Sequence, residues 1–343
     1  MERLQRYNFE TGVYRPPSEG GTSLLVRFTR NCPWNHCTFC GMYKDEKFEL
    51  RALDEIKADI DAVAALAHDL KELSLKMERG AEITHEAAVI LMRRIPELEY
   101  HQGFIMVYHW LLSGGKTAFL QDANSLIMKT TPLVDALKYL RKTFPHITRV
   151  TSYARSKTLA QKKPASLQAI REAGLDRLHL GLESGDEEVL KKIKKGATPE
   201  SHIKGGQKAM EAGFQVSEYW MPGLGGKACW ENHALNTARV LNEINPDYIR
   251  SRPFRSWPGT PLHKAVLEKE FQALSPVQQL RELKLTMETL DVSSKVCFDH
   301  AGNYWKNRRG GYLFSHGYEG YKFPEEKNRV LALIDEGLVC QQQ

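Results

Sequence analysis

Between residues 116 and 254 one pattern recurs: a helical run, a turn residue, then a short apolar run. "PLVDALKYLRKTF" leads to "ITRVTSYA", and "PASLQAIREAG" leads to "LDRLHLGLES". "PESHIKGGQKAMEAG" leads to "FQVSEYWMPG", and "NHALNTARVLNEIN" leads to "PDYIRSRPF". Gly174 and Gly213 each follow "EA", where a helix calls for a left-handed closing residue, and Asn245 is expected to do the same. "KTAFLQD" (116–122) reads as the strand before the first of these units. Upstream, "SLLVRFTR" (23–30) is a further strand, followed by a helix over "LDEIKADIDAVAALAHDL" (53–70). Six strands separated by helical segments predict an α/β fold with a parallel sheet and helices outside it. Six such units predict a curved sheet, a partial (β/α)6 TIM-like barrel, whose ligand site lies at the C-terminal ends of the strands.

The rhythm sets the expected boundaries. Residues 1–22 read as an irregular lead-in, 23–263 as the core, and 264–343 as a C-terminal extension over the barrel mouth. An insert, 74–115, lengthens the first crossover. The extension carries expected helices at 276–290 and 325–338, with the aromatic, basic stretch "HAGNYWKNRRGGYLFSHGYEGYKF" (300–323) between them.

"RNCPWNHCTFC" (30–40) directly follows the first strand, which places it at the ligand face. It sets Cys32, Cys37 and Cys40 within nine positions, and no further cysteine follows until Cys229. Three clustered thiols in a chain with six cysteines argue for metal binding rather than a disulfide framework. Zinc would need a fourth ligand, and His36, next to Cys37, gives awkward geometry around one tetrahedral ion. A [4Fe–4S] cluster held by three cysteines keeps one iron open to an exogenous ligand. Cys229, Cys297 and Cys340 are widely spaced and read as packing residues.

The cysteine loop resembles that of the radical S-adenosylmethionine (radical SAM) superfamily, with C-x4-C-x2-C in place of the usual C-x3-C-x2-C and Phe39 as the aromatic before the last cysteine. Three further segments strengthen the resemblance. "HLGLESGDEEVLKKIKKGATPE" (179–200), "MPGLGG" (221–226) and "PGTPL" (258–262) are similar to segments of the branch containing coproporphyrinogen dehydrogenases, methylthiotransferases and elongator-type enzymes. The family's Gly-Gly-Glu at the end of strand 2 is replaced by Gln121, Asp122 and Ala123.

The resemblance implies that Cys32, Cys37 and Cys40 ligate three irons and that S-adenosylmethionine chelates the fourth. It puts Phe39 near the adenine, and Gln121 and Asp122 against the methionine amino group. Tyr153 and Arg155 would point into the cavity, Arg155 towards the cofactor carboxylate. Glu183 and Ser184 would reach the ribose, and Gly223 and Gly225 would let backbone approach the adenine. The implied activity is formation of a 5′-deoxyadenosyl radical that abstracts hydrogen from a small or medium substrate. An electron donor such as flavodoxin or ferredoxin is implied as partner. The catalytic groups and the substrate are not readable, but Arg308 and Arg309 stand out as candidate substrate contacts.

Plainer readings exist for several features. Glu183 could simply pair with a nearby lysine. The lysine-rich "GDEEVLKKIKKG" reads as a helix capped by Asp186, with Glu187 and Glu188 at its positive end and lysines at its negative end. His101, His109, His300 and His316 are of interest only as a set; the histidines and aromatics of the C-terminal region, with the resemblance to the coproporphyrinogen branch, suggest a non-catalytic haem- or cluster-carrying chaperone of the same fold, and a zinc-stabilised binding protein is a third reading. The net charge of +6 suits an anionic ligand or an acidic redox partner more than nucleic acid. No apolar run approaches the ~18 residues that span a bilayer, and the first residues lack the apolar stretch of a secretory signal. The expected location is the cytoplasm.

Overall fold

Strand β1 (Leu24–Arg27) pairs in parallel with β2 (Thr117–Gln121), setting Leu24 opposite Ala118 and Arg27 opposite Gln121. The computed structural model describes residues 2–340 except 15, 17, 18, 20 and 78–82, so parts of the lead-in and of the 74–115 insert lie outside the described residues. The chain divides into two interleaved compact units. The first comprises residues 1–32, 47–153 and 168–177; the second comprises 33–46, 154–167 and 178–343.

In the first unit β3 (Arg149–Ala154) joins β2, again in parallel. Helix α1 (Leu53–Lys76) runs past its expected end and buries Ile56, Ile60, Val63, Leu66 and Leu70. These positions recur at three and four residues, as one apolar stripe requires. The insert forms two helices, α2 (His85–Arg94) and α3 (Gln102–Leu112), and α4 (Thr130–Thr143) precedes β3. Arg141 closes the unit's edge by donating to the carbonyl of Gly174, which sits at φ 105°.

In the second unit β4 (Arg177–Glu183), from Leu178 onward, neighbours β5 (Gln215–Trp220), which neighbours β6 (Tyr248–Ser251). A strand the sequence did not announce, β7 (Lys295–Cys297), adds in parallel to β6, and β8 (Tyr321–Lys322) closes the edge antiparallel. Alternation gives this sheet two faces. Leu182, Trp220, Ile249 and Val296 share one core with Leu241, Leu280 and Leu283. Those three come from α9 (Gly226–Ile244) and α11 (Pro276–Thr289), which follow α5 (Ser156–Gln161), α6 (Pro164–Glu172), α7 (Glu187–Lys192) and α8 (Pro199–Glu211) in the chain. The intervening residues His179, Tyr219 and Arg250 fall on the opposite, polar face. Helices α10 (Pro261–Leu267) and α12 (Lys327–Cys340) complete the unit.

Helix ends follow the expected chemistry. Asp186 accepts from the amide of Val189 at 2.9 Å, and Lys191 pairs with Glu187 and Glu188. Gly213 and Asn245 take left-handed backbones, as expected. The expected α/β order of parallel strands and helices is present, and no helix among the described residues is long and apolar enough to cross a membrane.

Candidate functional site

The loop carrying Cys37 and Cys40 is held by its backbone. The amide of Thr38 donates to the carbonyl of Ile193 at 2.9 Å, and the amide of Leu262 donates back to Thr38 at 2.9 Å. The loop is therefore threaded between the end of α7 and the start of α10. Phe39 packs on a cluster that includes Leu190, Ile193, Met221, Leu224, Phe254 and Leu262. Three segments singled out in the sequence, the lysine-rich stretch, "MPGLGG" and "PGTPL", thus meet around the cysteine loop.

Cys40 donates its amide to the carbonyl of Cys37 at 3.4 Å. Burial pushes the Cys37 thiol above its ordinary range, while Lys195 and Arg155 pull it down and Glu183 and Cys40 push it up. A metal or cluster reverses the burial effect by taking the thiolate as ligand. Two thiols in one loop, with two cations acting on Cys37, fit an anionic sulfur-ligated cluster. Cys32 belongs to the first unit. It follows Asn31, whose backbone is left-handed at φ 66°.

Glu183 ends β4 with a left-handed backbone, φ 63°, and its Oε1 accepts from Lys195 Nζ at 2.9 Å. The plainer lysine-pairing reading is therefore present. Gly181 makes it possible: a side chain there would collide with Glu183 Oε1 and Lys195 Nζ.

Several expected contacts are directed elsewhere. Gln121 accepts from the Gly12 amide at 3.1 Å and donates to the Tyr14 carbonyl at 2.8 Å. Its amide pins the lead-in and faces no open space. Asp122 Oδ2 accepts from Arg27 Nε and from the Asn31 amide, both at 2.8 Å, so the carboxylate braces the approach to Cys32. Arg155 stacks on Trp34 at 5.0 Å and donates to the Lys195 carbonyl at 2.9 Å. Tyr153 lies edge-on to Phe119 at 5.0 Å.

Ser184 is fully buried rather than turned to a ribose. Its hydroxyl bonds His233 Nδ1 at 2.8 Å and accepts from the Asp186 amide at 3.0 Å. His233 Nε2 lies 3.0 Å from the Met221 carbonyl and 3.4 Å from Glu282 Oε1. Glu282 Oε1 accepts from the Gly223 amide at 2.7 Å. The 3.4 Å separation would suit an ion pair, but burial pushes the Glu282 carboxyl up to about 8 and the His233 imidazole down to about 4. Burial disfavours both charges, so both are neutral. The imidazole then donates from Nε2 to Met221 and accepts at Nδ1 from Ser184.

Gly223 and Gly225 are required by this scaffold. Gly223, at φ 90°, has its missing side chain aimed at Gln279, and that of Gly225 would meet His233 and Cys229. The sequence did not single out His233, Glu282 or Lys195. The one signal was Glu282, an acid on the buried stripe of α11 between Leu280 and Leu283.

Arg308 and Arg309 sit exposed in the turn between Lys306 and Tyr312, which form a β-bridge. The Arg308 amide donates to Glu336 Oε1 at 3.1 Å. His101 caps α3, His300 accepts from the Gly302 amide, and His316 bonds the Asn303 carbonyl, so these histidines serve local backbone. His36 is exposed, its ring edge-on to Trp34 at 4.9 Å.

Residues 95–228 match the sequence profile of the Radical SAM superfamily. Its members use a [4Fe–4S] cluster and S-adenosylmethionine. The matched stretch begins after the cysteine loop. No curated protein matches the chain in sequence. Among solved structures it is similar to methylornithine synthase (PylB), with 16% identity and TM-score 0.45 over 80% of this chain and 66% of that one. Elp3 from the archaeon Methanocaldococcus infernus gives 14% and 0.46 over 64% and 53%. Coproporphyrinogen III oxidase (HemN) from Escherichia coli gives 17% and 0.46 over 84% and 55%. The chain thus spans between about half and two thirds of the length of these proteins.

Proposed function

We propose that the chain is a radical SAM enzyme acting on a small or medium substrate, with Cys32, Cys37 and Cys40 holding the cluster. The observation that carries this reading is the convergence on the cysteine loop of the lysine-rich, "MPGLGG" and "PGTPL" segments. When bound, the cluster supplies one electron that splits S-adenosylmethionine into methionine and a 5′-deoxyadenosyl radical, which takes a hydrogen atom from the substrate.

The protein's own residues position and enclose. Phe39 offers an apolar surface to the adenine and ties the loop to Met221 and Leu224. Glu183, strained at φ 63° and held by Lys195, presents its carboxylate at the end of β4 for the ribose hydroxyls. Backbone strain of this sort is kept only where surrounding contacts enforce it, and it clusters at functional sites. Ser184, His233 and Glu282 act from behind, fixing the 221–225 turn on which the adenine would rest. Lys195 and Arg155 offset the negative charge of thiolate ligands.

Anaerobic reconstitution tests the reading. The expected product is about four irons per chain, the count of a [4Fe–4S] site, with release of 5′-deoxyadenosine on reduction with S-adenosylmethionine. C37A and C40A should lose both. A folded, iron-loaded chain that never cleaves the cofactor removes the proposal.

A further inference from the structure

Beside the cysteine loop, within the second unit, lies an open groove of about 680 Å³. Trp34 and Leu190 form its apolar floor; His36, Lys157, Lys191 and Lys194 stand at its rim. Among the described residues no carboxylate lines it. Lys191 is held by Glu187 and Glu188, whereas Lys157 and Lys194 have no carboxylate partner among the described residues.

The groove is mechanically tied to the cysteines. Trp34 and His36 lie between Cys32 and Cys37 in the chain. Trp34 donates its indole N–H to the Lys194 carbonyl at 2.7 Å, and its ring fills the space above Gly196. Arg155, stacked on that ring, and Lys195, next to Lys194, are the two cations that act on the Cys37 thiol. The back wall of the groove is thus the ligand loop itself.

We propose that this groove is the docking surface for an acidic one-electron redox protein of the flavodoxin class. The proposal rests on the radical SAM reading for what the electron does. Each cofactor cleavage consumes one electron: the donor's flavin hydroquinone is oxidised to the semiquinone, and the enzyme's cluster is reduced by one charge. An apolar floor within a charged rim is the anatomy of a protein interface. Lys157 and Lys194, which have no carboxylate partner among the described residues, steer an acidic partner and make the encounter salt-sensitive. A single tryptophan, with no arginine lining the groove, suits a protein face better than a stacked nucleic acid strand.

The test uses the full reconstituted chain and its K157E/K194E variant, both residues being exposed. Stopped-flow reduction by flavodoxin hydroquinone should be at least ~10-fold slower in the variant at low salt, as removal of electrostatic steering predicts. The wild-type rate should fall as salt rises, and the variant's rate should change little. Reduction by titanium(III) citrate reports on the cluster without the groove and should be alike in both. Flavin anisotropy measures binding separately, with or without cluster. A chain that binds flavodoxin through these lysines yet never assembles a cluster keeps the surface and removes the enzymatic reading. Equal flavodoxin rates and binding in the two proteins, no flavodoxin binding by the wild type, or preferential binding of a 20-nucleotide RNA would each overturn the docking assignment.

Discussion

At the level of single residues, buried ionisable groups set how the molecule answers to pH. Glu282 has its carboxyl raised by burial to about 8, and the fully buried Glu218, whose two oxygens have no partner among the described residues, is raised well above its ordinary value. Between the unfolded value, near 4.5, and the folded one, the folded state binds the extra proton. Stability from these groups is therefore complete below about pH 4.5 and is lost as pH rises. His233 works in the opposite sense: its folded value near 4 makes stability rise with pH up to the ordinary imidazole range near 6.5. E282Q should remain folded and lose less stability than the wild type between pH 6.5 and 8. E218M, which removes two unpartnered buried oxygens, should stabilise by about 1–3 kcal/mol, more at pH 8 than at pH 5. Urea unfolding at both pH values measures these slopes; parallel slopes in variants and wild type would show that these carboxyls are not held neutral. Residue roles were unevenly legible in the sequence. Asp186, Gly174, Gly213 and Asn245 act within one turn of their own helices, so local chemistry announced them. The hold of Gln121 on Gly12 was not legible, because Gly12 lies 109 positions away and belongs to a lead-in without periodicity. The hydrogen bond of Ser184 to His233 was hidden for the same reason, His233 lying on α9.

At the level of elements, the cysteine loop is secured by packing rather than by regular structure. Gly196, at φ 68°, lets Trp34 lie flat against the segment between α7 and α8. G196A places a methyl within the indole ring and forces a left-handed backbone on alanine. The expected cost is about 1–3 kcal/mol, with a changed tryptophan emission and faster loss of iron from the reconstituted chain. An unchanged emission spectrum and iron content would show that Trp34 does not hold the loop. Helices and long strands were readable because their apolar spacing repeats. β7 was not: three residues, "KVC", contain too little pattern, and their place beside β6 is fixed by register, with Ile249 opposite Val296. Arg308 and Arg309 show how little composition says about placement. An aromatic, basic composition drew notice, and the segment folds as an exposed surface turn between Lys306 and Tyr312.

For the whole molecule, the order of parallel strands and helices was legible in the sequence, and so was a resemblance to the superfamily whose profile matches residues 95–228, because the four segments that carry it each keep a glycine, proline or cysteine. What the segments share in space, the Thr38 backbone linking Ile193 to Leu262, was not, since it joins main-chain atoms without regard to side chains. Cluster binding should couple to stability. A ligand that binds only the folded state raises its melting temperature, so the reconstituted chain should melt above the metal-free one, and C37A should melt alike with and without iron and sulfide. The most direct test of the central claim is electron paramagnetic resonance of the reduced, reconstituted chain with and without S-adenosylmethionine. The account predicts a [4Fe–4S]+ signal whose g-values shift when the cofactor binds the cysteine-free iron. A signal indifferent to the cofactor, in a chain holding a full cluster, would contradict it.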